Sequence, residues 1–182
     1  MTAIASKGHK FISMNTICPD IEQESALWDE FPDAEPLAER ALQIAGQKLG
    51  DQFRDGVELS ILLSDDEHIR SVNQEWRGID KATNVLSFPS VTREKIASTP
   101  FLGDIIIAFE TVKREAEVEN KAFADHFTHL VLHGFLHLLG YDHENDSDAE
   151  IMESLEIELL AELNIPDPYD DARIVDPNGA AL

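Results

Sequence analysis

The strongest constraint on this chain is an apolar helix, about Ala122 to Leu139, that carries histidines one turn apart and stops at Gly140. Within His133-Gly-Phe-Leu-His137-Leu-Leu-Gly140-Tyr-Asp-His143, His133 and His137 are four residues apart. Four helical residues advance about 400° and rise about 6 Å, so both imidazoles lie on one face, within reach of one cation. Glycine readily takes the left-handed conformation that ends a helix, so Gly140 lets the chain turn back and bring His143 to the same point. Three neutral imidazoles leave the fourth tetrahedral position of a zinc ion to water, the open arrangement of a catalytic rather than a structural site. The expected cofactor is one Zn2+ on His133, His137 and His143, although nickel or copper would also accept three imidazoles. His129, one turn before His133, could replace His143 as a ligand in a straight helical stripe, but is expected beside the ligands or in the core, because three successive turns of a rigid helix converge poorly on one ion.

The spacing equals the metzincin pattern H-x-x-x-H-x-x-G-x-x-H. In those proteases a glutamate general base follows the first histidine, and here that position is Gly134. The departure argues against peptidase chemistry.

Around this helix, hydrophobic periodicity divides the chain. Apolar positions 37, 41, 42, 45 and 49 predict a helix stopped at Gly50, and the alternation of Val57–Leu63 predicts a strand. Ser64-Asp-Asp-Glu67 has the form of a capping box and opens a helix through about Trp76. Asn84–Phe88 is a short strand closed by Pro89, residues 90–100 an exposed loop, and Gly103–Phe109 a buried strand. Helices follow at about Glu110–Asn120 and Ser147–Leu163, the last with Ile151, Met152, Leu155, Leu159 and Leu160 on one face. A further strand is expected near Ile12–Ile17, before an acidic stretch with Trp28. The expected organisation is an N-terminal segment (1–35), one catalytic metallohydrolase domain (36–163) and an acidic, partly ordered tail (164–182). The fold class is α+β: a small mixed β-sheet packed with helices, with the metal site on a central helix and the following turn.

Composition narrows the setting. At 182 residues the chain can bury a core without staples, and its single cysteine, Cys18, rules out an internal disulfide framework. It has neither an apolar run near the ~20 residues of a transmembrane helix nor the h-region of a secretory signal, so the expected location is cytoplasmic, with no membrane partner. The formal net charge of −22 is opposite in sign to that of a generic nucleic-acid binder. A nucleic-acid substrate would need a localised basic patch or the metal itself.

Several blocks together resemble the YbeY family of bacterial endoribonucleases. They are the histidine run at 133–143, Leu59 with Asp65 and Asp66, Asn73, Trp76-Arg77-Gly78, Asp80 and Thr83-Asn84-Val85-Leu86-Ser87-Phe88-Pro89. Leu102-Gly103-Asp104-Ile105 and Met152-Glu153 with Glu156 complete the set, which spans about residues 57–163. Departures are small: Ala82 stands where the family usually has proline, and Asn84 where many members have aspartate.

The resemblance implies an α+β fold, zinc on the three histidines, and single-strand-specific RNA cleavage in 16S rRNA 3′-end maturation and ribosome quality control. It also implies ribosomal RNA and ribosome-associated proteins as partners, and no DNA. Position by position, His133, His137 and His143 match the metal ligands, and Arg77 matches a functionally important arginine.

Zinc on three imidazoles lowers the pKa of bound water to about 7, so either water or the RNA 2′-hydroxyl could be the nucleophile. Phosphodiester cleavage builds charge on phosphoryl oxygens, which the planar guanidinium of Arg77 can bind two at a time. Arg70, Arg77, Lys81, Arg93 and Lys95 are expected to form a basic groove facing the zinc, and Asp142 is a candidate for orienting a histidine. Two other classes stay open: a metal-dependent hydrolase of a peptide or ester, and a non-catalytic ribosome assembly factor with structural zinc.

Overall fold

The computed structural model describes residues 15–143 and 145–170. Strand β1 (Ile17–Gln23), helix α1 (Ala34–Leu49), β2 (Val57–Ser64), α2 (Asp66–Arg77), β3 (Val85–Pro89) and β4 (Phe101–Ala108) come first. Three helices follow: α3 (Phe109–Val118), α4 (Phe123–Leu138) and α5 (Asp146–Glu162). The sheet has four strands in the order β1-β2-β4-β3. β1, β2 and β4 run parallel, and β3 pairs antiparallel with β4 at the edge. The fold is α+β with a mixed sheet.

β4 ends in an unbroken apolar run, Ile105 to Ala108, because both faces of the sheet are covered there. Ile105 and Ile107 join the larger core, which also holds Leu42, Val131 and Phe135. Ile106 and Ala108 face the other way, into a smaller cluster with Ile69 and Leu86. So α1 and α4 pack on one face and α2 on the other. No helix among the described residues is long and apolar enough to cross a membrane.

Where α4 meets the sheet, a Cβ on Gly134 would lie 3.0 and 3.1 Å from two carbons of Ile105 and 3.1 Å from Ser87 Oγ. The missing side chain lets the helix sit this close. A side chain at 134 would have to be accommodated against Ile105 and Ser87.

Several expectations shift. β1 is part of the sheet, and Trp28 of the acidic stretch is 1% exposed, donating its indole N–H to the Ser64 carbonyl at 2.8 Å. Half of the strand expected at Ile12–Ile17 lies outside the described residues, and β1 begins at Ile17. The helix cap falls one residue later than the capping box predicts, because Ser64 still belongs to β2; Asp65 accepts from the His68 amide at 3.0 Å. Residues 90–100 are not a wholly exposed loop: Arg93–Ser98 forms a 3-10 turn that drops Ile96 into the core.

Overpacking a tight contact of this kind costs about 1–3 kcal/mol. Gly134→Val is therefore expected to lower the unfolding free energy measured in urea by that amount, and an unchanged unfolding free energy would contradict the close approach.

Candidate metal centre

With Gly134 fixed against the sheet, His133 and His137 face α5 and the bend after α4. His133 Nε2 and His137 Nε2 are 3.1 Å apart. Gly140 adopts φ +76°, and the chain returns so that the His143 ring centroid lies 5.6 Å from that of His133 and 5.1 Å from that of His137. One ring nitrogen from each of the three lies within 4.8 Å of the others.

The opposite ring nitrogens fix the tautomers. His133 Nδ1 donates to Glu156 Oε1 at 2.7 Å, and His137 Nδ1 donates to the Tyr141 carbonyl at 3.0 Å. A carboxylate and a carbonyl only accept, so both Nδ1 atoms carry the protons and both Nε2 atoms present lone pairs. Two lone pairs 3.1 Å apart repel unless something positive lies between them. The donor set therefore fits a divalent cation held by His133, His137 and His143, a group that includes no carboxylate among the described residues. Burial, then the positive potential of His133 and His143, pushes the His137 pKa down to about 4, which keeps its ring neutral at pH 7.

Glu156 is the buried anchor of the cluster. Its Oε2 accepts from His129 Nε2 at 2.9 Å and from the Tyr169 hydroxyl. Burial pushes the carboxyl pKa up, but the hydrogen bonds from His129 and His133 outweigh it and hold the group at about 2. His129 thus stands beside the ligands, one turn from His133. His129, His133 and Glu156 also lie close enough to form a second donor set, but their hydrogen bonds to one another already occupy it. Further along the row, His126 Nε2 contacts Glu115 at 3.0 Å, and the Asn84 amide donates to the same carboxylate at 2.8 Å. A cleft of about 940 Å3 runs beside His133, His129 and His126 to Tyr169.

The expected basic groove assembles only in part. Arg70 is tied to Asp80 at 2.6 and 3.0 Å. Arg77 ends α2 across the sheet from α4, next to Trp76, whose ring packs on Phe88 of the edge strand; no contact among the described residues brings it to the histidines. Arg93 instead lies against the bend, with its guanidinium 5.3 Å from the Tyr141 ring centroid. Asp142 accepts from the His143 amide at 2.7 Å and so shapes the bend; the Tyr141 carbonyl, not this side chain, holds a ligand ring.

Sequence reasoning missed the anchoring role of Glu156. Its register carried a signal: it falls four residues after Met152 and four before Leu160, on the buried stripe, whereas Ile151 is 51% exposed. The Tyr141 carbonyl is a backbone group and leaves no trace in residue type.

Fold and cluster together define an α+β protein with a three-histidine cluster that could hold a metal ion. The family model "Endoribonuclease YbeY" matches residues 20–164. The chain is 51% identical over 148 residues to Endoribonuclease YbeY of Bradyrhizobium diazoefficiens, covering 79% of this chain and 80% of that protein. It is 49% identical over 152 residues to the protein of the same name from Methylocella silvestris, covering 84% and 85%. A Thermotoga maritima solution structure aligns at 23% identity and a TM-score of 0.46, over 87% of this chain and 99% of that one. The chain belongs to the YbeY family.

Removing an outer partner of a metal ligand typically costs about 10–100-fold in metal affinity. Glu156→Gln is expected to weaken zinc binding by that factor in a chelator competition. Because the folded-state pKa of Glu156 lies below its ordinary 4.5, its stabilising contribution is present above pH 4.5 and lost as pH falls toward 2. The variant should therefore show a shallower loss of stability across that acid range, and an identical acid profile would count against the anchoring role.

Proposed function

We propose that this chain is a zinc-dependent, single-strand-specific endoribonuclease that acts in 16S rRNA 3′-end maturation and ribosome quality control. His133, His137 and His143 are its metal ligands. The observation that carries the metal assignment is the pair of Nε2 lone pairs facing each other at 3.1 Å, each fixed by an acceptor on the far side of its ring. Family membership, and the name Endoribonuclease YbeY on the relatives, support RNA as the substrate.

A divalent cation held by His133, His137 and His143 would supply Lewis acidity at this point. The chain's own residues do the positioning. Glu156 and the Tyr141 carbonyl orient two ligand rings, and Gly140 permits the bend that brings the third. Glu156 is no general base: its oxygens are taken by three donors, and its pKa of about 2 makes it a poor proton acceptor at pH 7. Arg77, which ends α2 across the sheet from α4, is proposed as a cation for RNA phosphate on the strength of the family resemblance and not of its distance from the histidines.

Metal-loaded protein is expected to cleave single-stranded RNA but not casein. EDTA should abolish the activity and added zinc restore it; cleavage of casein instead would replace this reading with a peptidase. A charged hydrogen bond contributes about 1.5–3 kcal/mol, so Arg77→Ala should lower kcat/KM on RNA by roughly 10- to 100-fold. Zinc content should be unchanged in that variant, and wild-type kinetics would remove Arg77 from the site.

A further inference from the structure

Arg93 opens the 3-10 turn after β3 and lies across the bend that closes the histidine cluster. A Cβ on Gly140 would meet its Cβ at 3.2 Å, its Cγ at 3.3 Å and its Cδ at 3.5 Å. The aliphatic stem thus runs along the bend, and the guanidinium is carried to 5.3 Å from the Tyr141 ring centroid. Tyr141 is the residue whose carbonyl holds His137. Arg93 is therefore in contact with the frame of the imidazole cluster.

Arg93 combines this position with a charge that no carboxylate among the described residues neutralises, whereas other cations are paired. Arg70 is bound to Asp80, Lys113 to Glu30, and Lys121 to Glu119 and the Pro168 carbonyl. Among the described residues no carboxylate hydrogen-bonds the Arg93 guanidinium; neighbouring Glu94 feels it only through space. A ring face holds a guanidinium without consuming its N–H donors, so they remain available to an incoming anion.

The surroundings give a direction. The cleft on the His133 side is lined by Glu115, Asp125 and Asp167, with Lys121 already neutralised, and such walls repel phosphate. The bend on the His137 and His143 side also carries Asp142, one oxygen of which is occupied by the His143 amide. There the free guanidinium offers an anion paired N–H donors.

We infer that Arg93 binds a backbone phosphate of single-stranded RNA, one neighbouring the phosphate that lies at the imidazole cluster. The substrate class rests on the endoribonuclease reading; the contact itself rests on Arg93.

The test is equilibrium binding of a labelled 2′-O-methyl single-stranded RNA to metal-loaded protein over a range of salt concentrations, beside cleavage of unmodified RNA. Arg93→Met keeps an unbranched stem on Gly140 but removes the charge. Arg93→Lys restores the charge, and Arg40→Met makes the same charge change on α1. One phosphate contact on a single strand contributes about 0.7 to the slope of log affinity against log salt. Arg93→Met is expected to lower that slope by about 0.7, weaken binding roughly 3- to 10-fold, and leave zinc content unchanged. Arg93→Lys should recover most of the affinity, and Arg40→Met should have little effect. An unaltered slope in Arg93→Met, or an equal loss in Arg40→Met, overturns the inference while cleavage by the wild type upholds the nuclease reading. Binding that depends on Arg93 without any cleavage overturns the nuclease reading and leaves the phosphate contact in place. Wild-type protein that does not bind RNA at all overturns both.

Discussion

Helix α4 lies close against β4 where residue 134 has no side chain, and that contact favours one rotation of the helix about its axis. Once Gly134 faces Ile105, the residues on either side of it in the helical wheel have little freedom left. Val131 and Phe135 enter the core, and His133 and His137 turn toward α5 and the bend. An imidazole pair could be written onto any helix at this spacing. What makes this one a candidate metal centre is that the helix does not readily roll to bury or scatter the rings. Interior packing resists small rotations because displaced side chains have nowhere to go.

Electrostatics completes what packing begins. Glu156 is a fully buried carboxylate in the middle of α5, costly to bury unless its oxygens are satisfied. Hydrogen bonds from His129, His133 and Tyr169 satisfy them, so the same contacts that relieve α5 lock the His133 tautomer. The Tyr141 carbonyl does the same for His137 without a charge. Both rings present their lone pairs to one point, in a protein whose net charge of −22 draws cations generally. That excess of negative charge also explains why an unpaired guanidinium near the centre carries weight: the wider surface repels a polyanion, so the few cations in reach of the site steer it.

Much of this was legible in the sequence because it rests on local rules. The helix carrying the histidines, its stop at Gly140 and the buried run of β4 follow from periodicity and from a residue that tolerates positive φ. The mixed α+β class follows from the order of the elements. What was not legible depends on contacts between distant segments. Ile151 has the right spacing for the apolar face of α5, yet Glu156 is inside and Ile151 is out, because α4 supplies two imidazole donors at that depth. Trp28 sits in an acidic stretch that reads as peripheral, but its ring fills space against Phe109 and Phe127. The turn at Arg93–Ser98 is held by one buried isoleucine, too weak a pattern to separate from a loop. The basic cluster at 70–95 is close in sequence, but α2 and the 3-10 turn carry its members to different places, and only Arg93 is seen to touch the bend.

The central claim is that three imidazoles converge on one cation and leave a position open. X-ray absorption at the metal edge of the zinc-loaded protein tests it most directly. The account predicts a four-coordinate shell of light atoms at about 2.0–2.1 Å, with outer-shell scattering from three imidazoles and a remaining oxygen that exchanges with solvent. Fewer imidazoles, or a fourth protein side chain closing the shell, would contradict it.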